Sequence, residues 1–276
     1  MKFYPTHNST FSDLINFEFV DYKNQYDVNS THRHNYFEMI FFTNGGGEQI
    51  IDFTKKSIEA FEVSIILPGQ IHSLKRTDKT RGIVLQFKEE IFSELNFLYR
   101  QILSLSGNFS SVTFPKNKFS HLFKLVKFLK QRFEEETKKS DETLKNYLQL
   151  IISEFLDLLE INKETENNNV SNSFLELLEE NFKAEKQVSF YAEKLNLNTR
   201  MLNIQLEKHT GKKALQIIHN RVILEIKRLL MNDDLSLKEI TYMLNFDSPA
   251  TFSRFVKKHT GKLPSELKTE VAKIHN

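Results

Sequence analysis

Two periodicities divide the chain. From about Val20 to Phe87, apolar residues fall in short runs with two-residue alternation, broken by Gly, Pro, Asn and Asp. Tyr36 to Thr43, Gln49 to Phe53, Phe61 to Leu67 and Gly82 to Phe87 are expected as strands, with Gly45-Gly46-Gly47 turning between two of them. Short strands at this spacing point to a small β-barrel or jelly roll. After Lys88 the period becomes helical over Glu89 to Leu103, Asn117 to Thr137 and Asp141 to Glu160. Leu144, Leu148, Ile151, Phe155 and Leu158-Leu159 form a long apolar stripe, widened by Tyr147 and Ile152. Packing against the barrel takes part of such a stripe, and a dimer seam is its other use. An Asn-rich polar stretch, Ile161 to Asn169, then interrupts the pattern as a linker. The expected layout is α+β: a barrel with flanking helices over residues 1–161, a linker over 162–172, and an all-helical domain over 173–276.

Composition narrows this picture. The 276 residues hold 38 Lys and Arg, 36 Asp and Glu, 25 Phe and no Cys. That length suggests about two domains. The absence of Cys excludes disulfides, thiolate metal sites and cysteine nucleophiles. The opening Met1 to Asn8 lacks an apolar signal core, and no run of apolar residues is long enough to span a bilayer, so a soluble cytoplasmic protein is expected. The net charge of +2 conceals an asymmetry. From Ser171 onward there are 17 Lys and Arg against 13 Asp and Glu, leaving 21 against 23 before it. The second half is the basic one.

That half contains a repeat. Lys208-His209-Thr210-Gly211-Lys212 recurs fifty residues later as Lys258-His259-Thr260-Gly261-Lys262. Each copy follows two short helical patterns separated by a turn. Ser236-Leu237-Lys238-Glu239 is a capping box opening a helix to Leu244. Asn245 suits the sharp turn, Ser248 caps the next helix, and Pro249 occupies its first position. Phe252, Phe255 and Val256 make a buried stripe, with Ala250, Thr251, Arg254, Lys257 and Lys258 on the opposite face. Such a helix fits a DNA major groove. In the upstream copy the second helix is expected from about Thr199 to His209. Met201, Leu202 and Leu206 are its packing residues, and Arg200, Asn203, Ile204 and Glu207 its front. A long helix from Ala214 to Met231 connects the copies through Leu215, Ile218, Val222, Ile226 and Leu229-Leu230.

Over Val188 to Lys268 the chain resembles the tandem helix-turn-helix domain of AraC/XylS-type transcription regulators. The segment Leu237 to Phe246, then Ser248 to Phe255, Lys258 to Gly261 and Pro264-Ser265-Glu266, carries the likeness most strongly. Four positions depart from the family's habit. Ile204 stands where Arg is frequent, Gln205-Leu206 where a larger apolar pair is usual, and Asn245 where Gly is usual. The resemblance implies double-stranded DNA and RNA polymerase as partners, transcription activation, and homodimerisation through the helices after the barrel. By matching position it puts base contacts on Arg200, Asn203, Ala250, Thr251 and Arg254. Lys208, Lys212, Ser248, Lys257, Lys258 and Lys262 are phosphate candidates, because most protein-DNA hydrogen bonds go to the backbone.

The strand region carries a second pattern. His32, His34 and Glu38, a Gly at 45, then Pro68-Gly69-Gln70-Ile71-His72 resemble the two sequence motifs of cupins. In metal-binding cupins these positions supply three His and one Glu, a set suited to Fe, Mn, Ni or Zn. The expectation is nonetheless a sensor without metal or other cofactor, since cupin-like domains beside such DNA-binding domains usually receive small molecules. Arg33, His34, Glu38, His72 and Gln86 are the effector-pocket candidates, with His32, His34, Glu38 and His72 as the metal set should one bind. The Phe37/Met39/Phe41 and Glu38/Ile40/Phe42 faces both qualify as the interior face. The expected protein is an effector-responsive regulator and not an enzyme. The alternative is a metal-dependent cupin enzyme with an accessory DNA-binding domain. DNA repair by alkyl transfer needs a Cys acceptor and is excluded. No phosphate loop, G-x-S-x-G elbow or HExxH occurs.

Overall fold

The alternating run Phe37–Asn44 is the central strand of the first unit in a computed structural model of the chain, which describes residues 6–7, 15–20, 31–92, 102, 111–135, 141–159, 169–232 and 234–274. The chain divides into two compact units, one within residues 4–163 and one within 164–276. The first unit contains β1 (Thr6–His7), β2 (Ile15–Phe19), β3 (Arg33–His34), β4 (Phe37–Asn44), β5 (Gly47–Ile51), β6 (Thr54–Ser57), β7 (Glu62–Ile66), β8 (His72–Arg76), β9 (Arg81–Phe87) and β10 (Ser111–Thr113). A five-stranded sheet runs β10-β7-β4-β9-β2, a three-stranded one β6-β5-β8, and β1 pairs with β3. Helices α1 (Lys116–Glu135) and α2 (Asp141–Leu158) follow. The fold is α+β.

β4 is buried on both faces, and its two alternating sets serve different cores. Phe37, Met39 and Phe41 pack with Phe119, Leu122 and Val126 of α1 and Leu144, Leu148, Ile151 and Phe155 of α2. Ile40 and Phe42 pack instead with Ile51, Ile58, Leu74 and Val84, between the two larger sheets. The Glu38/Ile40/Phe42 set is therefore the inward one. Most of the apolar stripe of α2 is consumed in the core with the sheet. The chain passes from β4 in one sheet to β5 in the other at Gly45-Gly46-Gly47. Gly47 has φ 84°, and a Cβ there would collide with the Lys75 carbonyl oxygen, so only Gly fits.

Several boundaries differ from expectation. β10, antiparallel to β7 at the sheet edge, lies where only helices were expected. Of the expected helix Glu89 to Leu103, Glu89–Phe92 forms a short 3-10 turn and the rest, apart from residue 102, lies outside the described residues. The linker's residues 162–168 also lie outside them, while helix α3 (Asn169–Asn181) begins within the span expected as linker.

The second unit continues with α4 (Val188–Lys194), α5 (Thr199–Thr210), α6 (Ala214–Leu230), α7 (Leu237–Met243), α8 (Pro249–Thr260) and α9 (Pro264–Ile274). Its buried residues include Phe174, Tyr191, Leu202, Leu206, Ile218, Val222, Ile226, Phe252, Val256 and Leu267. Met201 and Leu215, expected among the packing residues, are exposed instead, because Leu202 and Leu206 fill the space behind α5 and Ala214 and Ile218 that behind α6. Among the described residues no helix is long and apolar enough to cross a membrane.

Candidate nucleic-acid interface and buried histidine cluster

Both turns between short helices are built the same way. Asn196 after α4 and Asn245 after α7 adopt left-handed φ values of 55° and 51°, a conformation Asn tolerates better than most residues. The side chain of Asn198 accepts from the Met201 N–H at 2.9 Å to cap α5. Ser248 accepts from the Thr251 N–H at 3.2 Å to cap α8, and Pro249 follows at the first turn. The capping box of Ser236 and Glu239 opens α7. Gly211 and Gly261, at φ 68° and 76°, end α5 and α8 in the left-handed conformation. Thr210 and Thr260 each donate to a carbonyl four residues back at 2.8 Å, so the repeated sequence repeats its cap chemistry.

These caps fix which faces remain for a partner. On α8, Ala250, Arg254, Lys257 and Lys258 are exposed and Thr251 is half-buried, with Arg254 Nη2 3.5 Å from Thr251 Oγ1. On α5, Arg200, Met201, Ile204, Glu207 and Lys208 are exposed. Three candidates carry structural duties. Asn203 Oδ1 accepts from the Ala214 N–H at 2.9 Å, and the residue before Ala214, Lys213, supplies no side-chain cap for α6. The Ser248 hydroxyl is taken up by the α8 cap, and Lys262 pairs with Glu270 at 2.7 Å. Lys212 is half-buried in the turn after α5.

Sequence patterning missed the residues that brace these helices. Lys186 donates to the Leu244 carbonyl at 2.6 Å and lies 4.7 Å over the Phe246 ring, while Asn245 Nδ2 donates to the Ala184 carbonyl at 3.2 Å. Burial lowers the pKa of Lys186, against the raising influence of Glu185 and Asp247. Arg221 of α6 donates through Nε to both carboxylate oxygens of Glu179 at 2.9 Å and through Nη1 to Glu225 at 3.1 Å, with its guanidinium 3.8 Å over Phe182. Burial alone would raise the pKa of Glu225, but Arg221, Arg228 and Lys183 hold it below the usual range. An Arg four residues before a Glu was the sequence signal for part of this network. On the same unit, His219 of α6 stacks edgewise on His259 of α8 at 4.3 Å and on Phe255 at 5.1 Å.

In the first unit, the strands gather most of the pocket candidates. Glu38 and Gln86 are register partners of β4 and β9, and Gln86 Nε2 donates to Glu38 Oε2 at 3.1 Å. Asn16 of β2 donates to Gln86 Oε1 at 2.8 Å, which orients the Gln86 amide toward the carboxylate. His32 and His72 exchange backbone hydrogen bonds of 2.9 and 2.8 Å, and their rings are 4.1 Å apart. His34 lies 4.9 Å from His72 and stacks on Tyr36 at 4.0 Å. Its Nδ1 is 2.7 Å from the Tyr36 carbonyl, which only accepts, so Nδ1 carries the proton. His34 Nε2 then faces Glu38 Oε2 across 4.0 Å. His32, His34, Glu38, His72 and Gln86 are all buried, whereas Arg33, alternating with His34 along β3, is half-buried.

His34, Glu38 and His72 each present a ligand atom within 4.8 Å of the others. Three atoms bonded to one ion at about 2.1 Å in tetrahedral geometry lie about 3.4 Å apart. The set fits a first-row divalent metal after side-chain shifts that close these separations by about an ångström. Two imidazoles, one carboxylate and a nearby third imidazole are the donor types such metals take, and the Tyr36 and Gln86 hydrogen bonds are the supports a ligand set needs.

Residues 191–270 match a family described as a helix-turn-helix domain. The HTH-type transcriptional activator RhaS of Salmonella schwarzengrund is 28% identical over 104 residues, 38% of this chain and 37% of that protein. RhaS of Salmonella arizonae is 27% identical over 104 residues, again 38% and 37%. The match thus spans little more than a third of these curated relatives. Among solved structures, ToxT from Vibrio cholerae covers 92% of this chain and 97% of its own at 18% identity and TM-score 0.41. Unsaturated fatty acid bound ToxT from Vibrio cholerae strain SCE256 covers 92% and 94% at 16% identity and TM-score 0.41.

Proposed function

We propose that this chain, whose C-terminal unit is a helix-turn-helix domain of the AraC/XylS type, is a sequence-specific DNA-binding transcription regulator governed by an effector in its N-terminal unit. One observation carries the reading. Two copies of the same capped motif present exposed front faces on α5 and α8, joined by the 17-residue helix α6. Seventeen helical residues make a rod of about 26 Å, stiff enough to hold two recognition helices for successive major grooves on one side of a duplex, about 34 Å apart. Arg254 is the base reader of α8, and Lys208, Lys257 and Lys258 meet phosphate. Activation is the expected sign, as the name of the RhaS relatives records for those proteins. The cytoplasm is the expected compartment for this reading, and a homodimer contacting RNA polymerase completes the assembly.

Selection of bound fragments from random DNA by the full chain, followed by anisotropy titrations over a salt series, tests this. Specific sites with a steep salt dependence are expected. Binding that is equal on all sequences refutes it.

The geometry of His34, Glu38 and His72 favours a second reading of the effector, a divalent metal held at that cluster. The inward Glu38 and its bracing by Gln86 support this reading, in which an ion would fix β3, β4 and β8 to one another. Metal analysis of protein purified without a His-tag tests it: a stoichiometric metal lost in His34→Ala supports this reading, and metal-free protein that takes up none on dialysis refutes it. Turnover of an added substrate by the loaded protein would point instead to a metal-dependent enzyme.

A further inference from the structure

The fifty-residue repeat sets α5 and α8 in register. Asn198 falls on Ser248 and Gly211 on Gly261; between these caps Arg200 falls on Ala250, Met201 on Thr251, Ile204 on Arg254, Glu207 on Lys257 and Lys208 on Lys258. At 100° per residue, position 204 lies opposite the mean direction of buried Leu202 and Leu206, as 254 lies opposite Phe252 and Val256. The centre of the front face is thus a guanidinium in α8 and a bare hydrocarbon in α5. Ile204 is 49% exposed, and Met201 beside it is 41% exposed. Arg200 and Lys208 flank the pair on α5, while Lys257 and Lys258 are the cations beside Arg254 on α8.

An aliphatic side chain at this position makes no hydrogen bond to a base edge. Laid against guanine or against the cytosine amino group, it would strip water from polar atoms and return nothing. The thymine C5 methyl is the one apolar group on the major-groove edges. The Oδ1 of Asn203, a base-reading candidate on α5 by the family resemblance, is engaged by the Ala214 N–H at 2.9 Å. We propose that Ile204, assisted by Met201, reads thymine through its methyl group, so that the two recognition helices read chemically different half-sites: thymine under α5 and guanine under Arg254 of α8. This rests on the DNA-binding reading above. The site is then asymmetric, and the chain binds it in one orientation. Glu207, standing where α8 has Lys257, also moves the phosphate attraction toward the α8 half.

The test uses the full chain and a site selected from random DNA. Thymines are replaced one at a time by uracil, which removes only the methyl. In anisotropy titrations at fixed salt, uracil at one or two positions of the α5 half should weaken binding about fourfold each, the worth of one methylene-sized group removed from water. Ile204→Ala should bind the thymine site only as well as the unaltered chain binds the uracil site, and uracil should then cost it nothing more. Arg254→Ala should keep the thymine preference while losing guanine. Ala is a strong helix former and position 204 is exposed, so the variant keeps its fold. Equal affinity for thymine and uracil throughout the α5 half, or full discrimination surviving in Ile204→Ala, overturns the inference while leaving DNA binding intact. Failure to select any DNA overturns both readings. Loss of transcription in Ile204→Ala with unchanged binding to both sites overturns this one in favour of a protein contact.

Discussion

Replacing Asn203 by Ala removes the acceptor that Ala214 N–H uses at 2.9 Å, a side-chain cap for the first turn of α6. Lys213 offers no cap, so the N–H freed on buried Ala214 loses its side-chain acceptor. Loss of a capping acceptor costs about 1 kcal/mol within a range of roughly 0.5–2. For a unit of about a hundred residues that lowers the melting temperature by about 4–8 °C. Amide exchange at Ala214 reads the local effect: protection should fall in Asn203→Ala and survive in Asn203→Asp, which keeps the acceptor and places a negative charge at a helix N-terminus. DNA titrations well below the melting temperature should show Asn203→Ala with its base preferences unchanged. Unchanged protection and stability, together with an altered preference at one base pair, would refute the capping role and restore Asn203 as a base reader.

Arg221→Ala takes from Glu179 its guanidinium partner and leaves Glu225 to Arg228 and Lys183, so chemical denaturation should show a loss of about 3 kcal/mol, as for a broken buried pair; a loss below about 1 kcal/mol would mean that the network is solvated. Burial first, then His259 and Lys258, push the pKa of His219 down from 6.5 to about 4. Folding therefore keeps the ring neutral, and stability from it is full above about pH 6.5 and lost as pH falls toward 4. Melting temperature against pH should flatten over that window in His219→Leu, with His259 retaining part of the slope; parallel curves would sink the assignment. Arg254→Ala should cost about 1–3 kcal/mol on a selected site and relax its sequence preference, whereas an equal loss on random DNA would reduce Arg254 to a phosphate contact.

What the sequence by itself determined was local. Caps, turns and breakers act within four residues, so Ser236 with Glu239, Ser248 with Pro249, and the left-handed Asn245 were legible from spacing alone. The repeat ending in Gly211 and Gly261 made both motifs visible. Strands with apolar alternation were legible too; β6, which reads Thr-Lys-Lys-Ser and is exposed throughout, and β8, with one aliphatic residue, were not. Their pairing comes from the backbone of β5, which carries no side-chain signal. Only tertiary structure decided which face of β4 looks inward, because both faces are apolar and both are covered. It also brought the Asn203 side chain to the Ala214 N–H, and joined Arg221 to Glu179 across 42 residues. The motif at His32, His34, Glu38 and His72 named the donors, but their convergence required the register of β4 with β9 and the bridge between His32 and His72. A chain's short-range rules select its turns and caps; which side chains share a site depends on contacts that sequence spacing does not measure.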